Sequence, residues 1–522
     1  MVSPVDIQVT NKILTAIAEE MGIVLQKAAM SSNIKERRDF SCAIFDAKGN
    51  MLSQAAHIPV HLGAMPLTIS ALKDLFELRP GDIIITNDPY KGGTHLPDIT
   101  LMSGVFHPSS SKPVFYLLSR AHHADVGGAA PGSMALASSL FDEGVLIEPM
   151  LLKKEGKLCK DAIEPIIAKM RNPDERLGDL HAQMAALSRG EMRLKNIIAK
   201  QGLEGLYDCI GPLLDYGERI MKNLISSIPD GEYEFEDFLD DDGVSTTPVP
   251  LRCKLSIHNS KAVVDYTNSA DQLTTSLNTV RSVTASATYY VFFCLVGSGY
   301  PINGGSLRPI KIKTRKGSIL DANYPAPVAA GNVETSQRIV DTLLGAFAKT
   351  LPDLIPAASC GSMNNIAIGG FTQNGHGFTY YETIGGGMGA AKGYHGLSGV
   401  HTHMTNTLNT PIEALEQTYP FRINSYRLRK KSGGEGLYEG GQGIIRSYKF
   451  MQDATVTLLT ERRRFAPYGV QGGKPAKKGK NLFITAHNKK ITELTGKTKI
   501  EVSAGDIIEI YTPGGGGWGT KS

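Results

Sequence analysis

The sequence predicts an α+β protein of several layers: mixed sheets, a helical layer and a glycine-rich β region at the C-terminal end. Three observations predict it. The first 120 residues alternate helix-period segments with short apolar runs bounded by turn residues. Residues 179–227 hold two long stretches whose apolar positions recur at helical spacing. From Leu428 onward, β-like runs are punctuated by Gly433-Gly434, Gly440-Gly441, Gly472-Gly473 and Gly514–Gly517. At 522 residues the chain is too long for one ordinary core. Texture changes divide it into an α+β region at 1–230, a central α+β region at 231–420 and a β region at 421–522.

The elements follow in order. Ser3-Pro4 marks a helix start with proline in the first turn, and Ile13, Ile17, Met21 and Leu25 continue it to Ala29. Asp39–Phe45 reads as a strand that turns at Asp46–Asn50 and pairs with Met51–Ala55. Leu67–Phe76 reads as a helix and Asp82–Thr86 as a short buried strand. Ile99–Phe106 and Pro113–Ser119 form a second hairpin around Pro108–Ser111. Two helices follow, at Asp179–Lys200 and Leu206–Ser227. Residues 231–267 alternate in strand fashion, and Thr279–Leu295 and Thr335–Lys349 read as helices.

The net charge of +4 is small for this length and offers no concentrated basic face, so nucleic acid is not expected as a partner. The most apolar window, Ala287–Val296, is too short to span a bilayer. No basic segment leads into an apolar one at the N-terminus, so no signal peptide is expected. Six scattered cysteines without a CxxC pair argue against a zinc knuckle or a disulfide framework and fit a cytoplasmic protein.

The chemistry gathers in two glycine-rich loops. Asn87 through Asp98 carries Asp88, His95 and Asp98; Ala121 through Gly128 carries His122, His123 and Asp125. Imidazole and carboxylate are the ligand set of zinc, manganese or iron sites. Pro97 keeps Leu96 out of helix, and a turn there would let His95 and Asp98 converge. The bland alternative has His95 and Asp98 serving only as loop and turn caps. His122 and His123 point to opposite faces of an extended chain, so one of them is a ligand and the other packs, orients a carboxylate or moves a proton. Asp39 is either a further oxygen ligand or a partner of Arg37 or Arg38. His57 and His61, four apart, read as structural. Glu334, Arg338 and Asp341 share a helical face, as a surface ion-pair ladder would, yet Gly331-Asn332 before them suits an anion. A P-loop, a GxSxG elbow and a dinucleotide fingerprint are all missing, so ATP is not expected to bind here by a familiar loop.

These residues also carry a family resemblance. Asp39–Asp46, His57–Gly63, Asn87–Asp98, Arg120–Gly128, Gly331–Arg338, Tyr381–Gly387, His403–Thr407 and Pro513–Gly517 resemble, in order along the whole chain, the hydantoinase B family. That family includes N-methylhydantoinase B subunits, the C-terminal half of 5-oxoprolinase, caprolactamase subunits and the α subunits of acetone and acetophenone carboxylases. The resemblance implies a division of labour. A hydantoinase A-type ATPase subunit uses ATP to phosphorylate the substrate oxygen, and this chain completes hydrolysis of a cyclic amide at a divalent metal, within a hetero-oligomer such as α2β2. It implies metal ligands at His95, Asp98 and His122 or His123, with His122 the one assigned, and at Asp39. On this reading Asp125 or His123 accepts the proton of the attacking water, and Glu334, Arg338 and Gly386 contact substrate or phosphate. The alternatives are a ketone carboxylase of the acetone type and a non-catalytic scaffold subunit.

Overall fold

The computed structural model describes residues 2–55 and 57–521. Its first element is the helix Pro4–Ala28, started by a reciprocal cap in which Ser3 and Asp6 satisfy each other's backbone, with Pro4 in the first turn. The chain then builds a seven-stranded antiparallel sheet in the spatial order Met51–Ala55, Phe40–Asp46, Phe115–His122, Asp98–Val105, Ile83–Thr86, Met150–Lys154, Lys157–Leu158.

Every residue of Phe40–Asp46, Asp98–Val105 and Phe115–His122 is buried, because both faces of this sheet are covered. Phe40, Cys42, Ile44, Ile99, Leu101 and Leu117 join the large core on one face. There the helices Pro4–Ala28 and Pro173–Gln201 pack on each other and on the strands. Ala43, Phe45, Met102 and Leu118 point the other way, into a smaller core closed by Met65, Ile69 and Leu72 of the helix Ala64–Leu72. The helix Pro173–Gln201 begins six residues before the expected Asp179, since Pro173 opens it and Asp174 and Glu175 complement its N-terminal dipole.

A second sheet runs Ile310–Lys313, Lys261–Asp265, Val249–His258, Gly231–Leu239, and the helix Ser336–Ala348 packs on it. A third runs Gly377–Glu382, Asn365–Phe371, Ala454–Leu459, Lys497–Val502, and a fourth Phe421–Leu428, Ile444–Phe450, Ile507–Tyr511, Lys480–Ile484, Ile491–Leu494. A boundary near residue 420 therefore cuts through a shared sheet, because Asn365–Phe371 pairs directly with Ala454–Leu459. Side chains of the third and fourth sheets share a core that includes Ile368, Tyr380, Phe421, Tyr448 and Ile508. Among the described residues no helix is long and apolar enough to cross a membrane.

Candidate metal centre

Strand register decides which polar side chains meet. Asp98 pairs with His122 and Thr100 with Arg120, while Ser41 pairs with Arg120 on the other side of the same strand. The N–H of His122 donates to the carbonyl of Asp39 at 2.9 Å, extending that row by one more rung. Since side chains alternate along a strand, Asp39, Ser41, Asp98, Thr100, Arg120 and His122 all lie on the face closed by the helix Ala64–Leu72, beyond the end of its apolar core.

Two loops complete the cluster. The Asp98 N–H donates to the His95 carbonyl at 3.1 Å, so the His-Leu-Pro-Asp step is a turn and the two side chains converge. Gly92 stands at the root of this loop with φ of +84°, and a Cβ there would come within 2.5 Å of the Thr68 nitrogen. Its carbonyl is held by the Thr68 hydroxyl and by Arg120. The second loop is a short 3-10 turn, Pro59–His61. It is followed by Gly63, whose N–H donates to Ser286 Oγ at 3.0 Å and where a Cβ would lie 2.7 Å from the Ser286 nitrogen. That close approach of the helix Arg281–Val296 sets His61 over the sheet.

His95, Asp98 and His122 each offer one ligand atom, and the three atoms lie within 4.8 Å of one another. Asp98 Oδ2 accepts from the Thr94 hydroxyl and stands 3.3 Å from both His95 Nε2 and His61 Nε2. His61 Nδ1 in turn meets Ser41 Oγ at 3.0 Å. His95 Nδ1 and Nε2, Asp98 Oδ1 and His122 Nε2 are buried without a hydrogen-bond partner among the described residues. Buried polar atoms are almost always paired, so an orphaned atom on each of these three side chains leaves a place for a shared partner. Two imidazoles and a carboxylate are a donor set for a divalent first-row metal. His95 Nε2 and Asp98 Oδ2 already stand 3.3 Å apart, a separation two donors on one such ion keep. The residues present fit the group.

The electrostatics set the charge of two of the three side chains. Burial works against the Asp98 carboxylate, but His95 and His61 beside it prevail and hold it well below the usual carboxylate range. Burial, then His95, keeps the His122 ring neutral by holding it well below its ordinary range. A metal needs those two protonation states. Asp39 adjoins the cluster, with Arg37 NH2 at 3.7 Å from its Oδ2, and burial pushes its carboxyl up. Arg120 lies buried beneath the cluster. Burial lowers it to about 10, Thr100, Thr68 and the Gly92 carbonyl take three of its donations, and its NH1 has no partner among the described residues.

Other expected site residues stand elsewhere. His123 points to the opposite face of the sheet, where its Nε2 meets Gln183 Oε1 at 3.0 Å under the helix Pro173–Gln201, and burial depresses it to about 4. Asp125 fastens its own loop. It accepts from Gly127 N–H at 2.7 Å and Gly132 N–H at 2.8 Å and pairs with Arg171 at 3.1 Å. Neither touches the cluster, so neither is positioned to accept a proton there. The Gly386 N–H donates to the Val400 carbonyl, which leaves it unable to meet an oxyanion. Glu334, Arg338 and Asp341 are fully buried rather than a surface ladder. Arg338 is taken up by Asp237 at 3.1 Å and Glu461 at 3.5 Å and does not reach the cluster. Residues that sequence reasoning left out are His61, Thr94, Arg120, Asn33 and Tyr381. His61 carried a signal through its four-residue spacing from His57 around Pro59, and Thr94, Arg120 and Tyr381 through the motifs that contain them; Asn33 carried none.

Glu334 gives a testable pH dependence. Its Oε1 accepts from the Met363 N–H at 3.0 Å and Asn365 Nδ2 at 2.7 Å, while burial, then Glu461, push the carboxyl up to about 8. A group raised on folding contributes stability below its unfolded value near 4.5 and loses it as pH rises to about 8. Glu334→Gln keeps the acceptor and removes the ionisation. Its stability relative to wild type is therefore expected to rise with pH, by up to about 1.4 kcal/mol per unit between pH 5 and 8. Urea unfolding at the two ends of that range checks it; an unchanged difference would contradict the assignment.

A buried cluster of two histidines and an aspartate, assembled from one loop and two strand ends of a covered antiparallel sheet, defines the candidate site. The sequence profile of the hydantoinase B/oxoprolinase family matches residues 3–521, and the chain belongs to that family. An uncharacterized protein of Methanocaldococcus jannaschii is 42% identical, covering 99% of this chain and 90% of that one. The 5-oxoprolinase 1 of Arabidopsis thaliana is 37% identical over 99% of this chain, which spans only 42% of that enzyme's length. Among solved structures, the ATP-dependent caprolactamase from Pseudomonas jessenii superposes with a TM-score of 0.93 at 26% identity, over 100% of this chain and 92% of that chain. An acetone carboxylase shares the fold, with a TM-score of 0.91 at 18% identity over 99% of this chain and 76% of that chain.

Proposed function

We propose that this chain carries the metal-dependent half of an ATP-dependent cyclic-amide hydrolase acting on a hydantoin, 5-oxoproline or a related lactam. The observation that carries the reading is the buried cluster of His95, Asp98 and His122, with its orphaned donor atoms, in a chain of this family. Phosphorylation of the substrate oxygen falls to a hydantoinase A-type ATPase subunit. The plant relative is more than twice as long as the matched region, and the same two halves there would lie in one chain. A cytoplasmic hetero-oligomer such as α2β2 belongs to the same reading.

Within it, His95, Asp98 and His122 hold a divalent cation, zinc, manganese or iron, with Asp39 as a further oxygen donor. Bound there, the cation supplies Lewis-acid polarisation of a substrate oxygen. His61 orients Asp98 through its Nε2 and is itself oriented by Ser41 through its Nδ1. Thr94 holds the same carboxylate oxygen. Arg120 anchors the His95 loop through the Gly92 carbonyl and adds a fixed positive charge beneath the cluster. Near-complete burial of the three ligands excludes bulk water, which strengthens each of these interactions.

The test combines the purified chain, an A-type ATPase subunit, ATP and a panel of hydantoins, 5-oxoproline and lactams. Ring-opened product formed in step with ADP release supports the proposal. Turnover that demands bicarbonate and a ketone instead would establish the carboxylase alternative. Full activity with a His95→Ala chain would leave only the scaffold reading.

A further inference from the structure

Every candidate ligand comes from the seven-stranded sheet and its loops, and the ring of His95 meets that of His122 edge-on at 4.9 Å, yet the face of the His122 ring is covered from outside that sheet. It lies flat against the ring of Tyr381, with centroids 5.0 Å apart and an interplanar angle of 2°. Tyr381 belongs to the strand Gly377–Glu382 of the third sheet. We propose that Tyr381 is a positioning residue for the metal centre: it fixes the plane of the His122 imidazole from the opposite half of the molecule, so the centre is complete only when the two sheets are docked. The inference rests on the metal reading above.

An imidazole side chain has two torsions, and two constraints fix its ring. One is the stack, which sets the plane. The other is at the ring edge, where Asn33 Nδ2 donates to His122 Nδ1 at 2.9 Å; the proton of the neutral ring then sits on Nε2 and would leave as a metal enters. With both satisfied, Nε2 is left without a partner of its own among the described residues. Outer residues hold a metal-binding histidine in one orientation, and here the Tyr381 stack is the contact that does so.

Tyr381 is itself anchored more firmly than packing requires. Its hydroxyl donates to Asn365 Oδ1 at 2.6 Å, and Asn365 Nδ2 donates to Glu334 Oε1 at 2.7 Å and to the Leu459 carbonyl at 2.8 Å. At the other end, Arg37 NH1 donates to the Tyr381 carbonyl at 3.0 Å and to Asn33 Oδ1 at 2.7 Å. The same guanidinium sits 5.0 Å from the Tyr381 ring centroid. Arg37 thus joins the residue that sets the plane of His122 to the residue that sets its in-plane rotation. A merely core-filling tyrosine needs neither link. Its neighbour Tyr380 is such a residue, turned into the core shared by the third and fourth sheets beside Tyr419 and Phe421.

The experiment uses the full chain loaded with cobalt(II), reading its affinity by chelator competition and its visible absorption spectrum. Tyr381→Leu removes the stack while keeping an apolar side chain. It is expected to weaken cobalt binding about 10- to 100-fold, the range for outer-residue changes, and to alter the visible bands. Tyr381→Phe keeps the ring and loses the anchor, and is expected to fall between Leu and wild type on both readouts. Tyr380→Leu controls for general loss of stability and is expected to bind as wild type does. Wild-type affinity and spectrum in Tyr381→Leu, or an equal loss in Tyr380→Leu, overturns the positioning role. Should Tyr381→Leu not fold, Tyr381→Phe decides alone: a wild-type affinity and spectrum there overturns the proposal. Failure of the wild-type chain to bind cobalt at all would instead strike the metal reading, and this inference with it.

Discussion

His95→Ala is expected to empty the centre of metal while leaving the chain folded. The two outcomes separate because His95 Nδ1 has no hydrogen-bond partner among the described residues, and Asp98 Oδ2, 3.3 Å from His95 Nε2, keeps the Thr94 hydroxyl and His61 when the ring is removed. Removing the ring therefore strands no donor or acceptor, which is usually the severe part of a buried polar substitution. The loop keeps its shape through contacts that do not involve the imidazole: the turn from Asp98 N–H to the His95 carbonyl, and the clamp of Thr68 and Arg120 on Gly92. Metal affinity, by contrast, loses one of three converging donors. A change in an outer residue typically costs about 10- to 100-fold in affinity, and a missing ligand is expected to exceed that. Elemental analysis beside wild type, with circular dichroism as the fold control, reads both. Polarisation by a metal supplies several kcal/mol of transition-state stabilisation, so turnover in the assembled enzyme is expected to fall by about three orders of magnitude or more. Stoichiometric metal retained in the variant would remove His95 from the ligand set.

The second large effect lies away from the centre. Arg338→Met is expected to destabilise the chain by about 3–5 kcal/mol, the usual result of breaking a buried ion pair from one side. Arg338 is fully buried and faces three carboxylates: Asp237 at 3.1 Å, Glu461 at 3.5 Å and Asp341 at 3.9 Å. Arg462 supports two of them, reaching Asp237 at 2.7 Å and Asp341 at 2.6 Å, and Lys497 pairs with Glu461. Taking out one cation leaves those three acids with Arg462 and with Lys497, itself shared with Asp241, in a site almost closed to water. The methionine fills most of the volume, so the loss reports charge rather than a cavity. Denaturant unfolding measures it, and a second substitution, Asp237→Asn, is expected to recover part of the loss because it removes the excess negative charge. A change below about 1 kcal/mol in the single variant would mean that the network is far better solvated than its burial implies.

Much of the first half was legible in the sequence because local chemistry decided it. Ser3-Pro4 starts its helix, the Asp46–Asn50 turn closes its hairpin, and Met51–Ala55 pairs with Phe40–Asp46 as expected. The His-Leu-Pro-Asp turn and the strand leading to His122 follow from Pro97 and from β-like runs. The family, too, was written in ordered motifs along the whole chain, and the profile match over residues 3–521 bears that out. Glu334, Arg338 and Asp341 form a buried network and not the surface ladder that is one of the two readings of their spacing, because helical spacing reports which residues share a face, not what covers it. Here the face meets Asp237 and Glu461, which lie about a hundred residues away in each direction along the chain.

The same distinction runs through the centre itself. The sequence by itself determined that His122 and His123 point to opposite faces, since side chains alternate in any strand. It determined that His95 and Asp98 could converge, since proline forbids a helix there. Only the tertiary structure decided which face is which. The face with Asp98, Thr100 and Ser41 is closed by the helix Ala64–Leu72 and by the 3-10 turn that brings His61; the other is closed by the helix Pro173–Gln201, where Gln183 takes His123. Tyr381 arrives from a third sheet some 260 residues downstream of His122. Alternation is a property of one strand and can be read from it. The identity of a face belongs to whatever segment the folded chain packs against it, and that segment leaves no mark on the strand it covers.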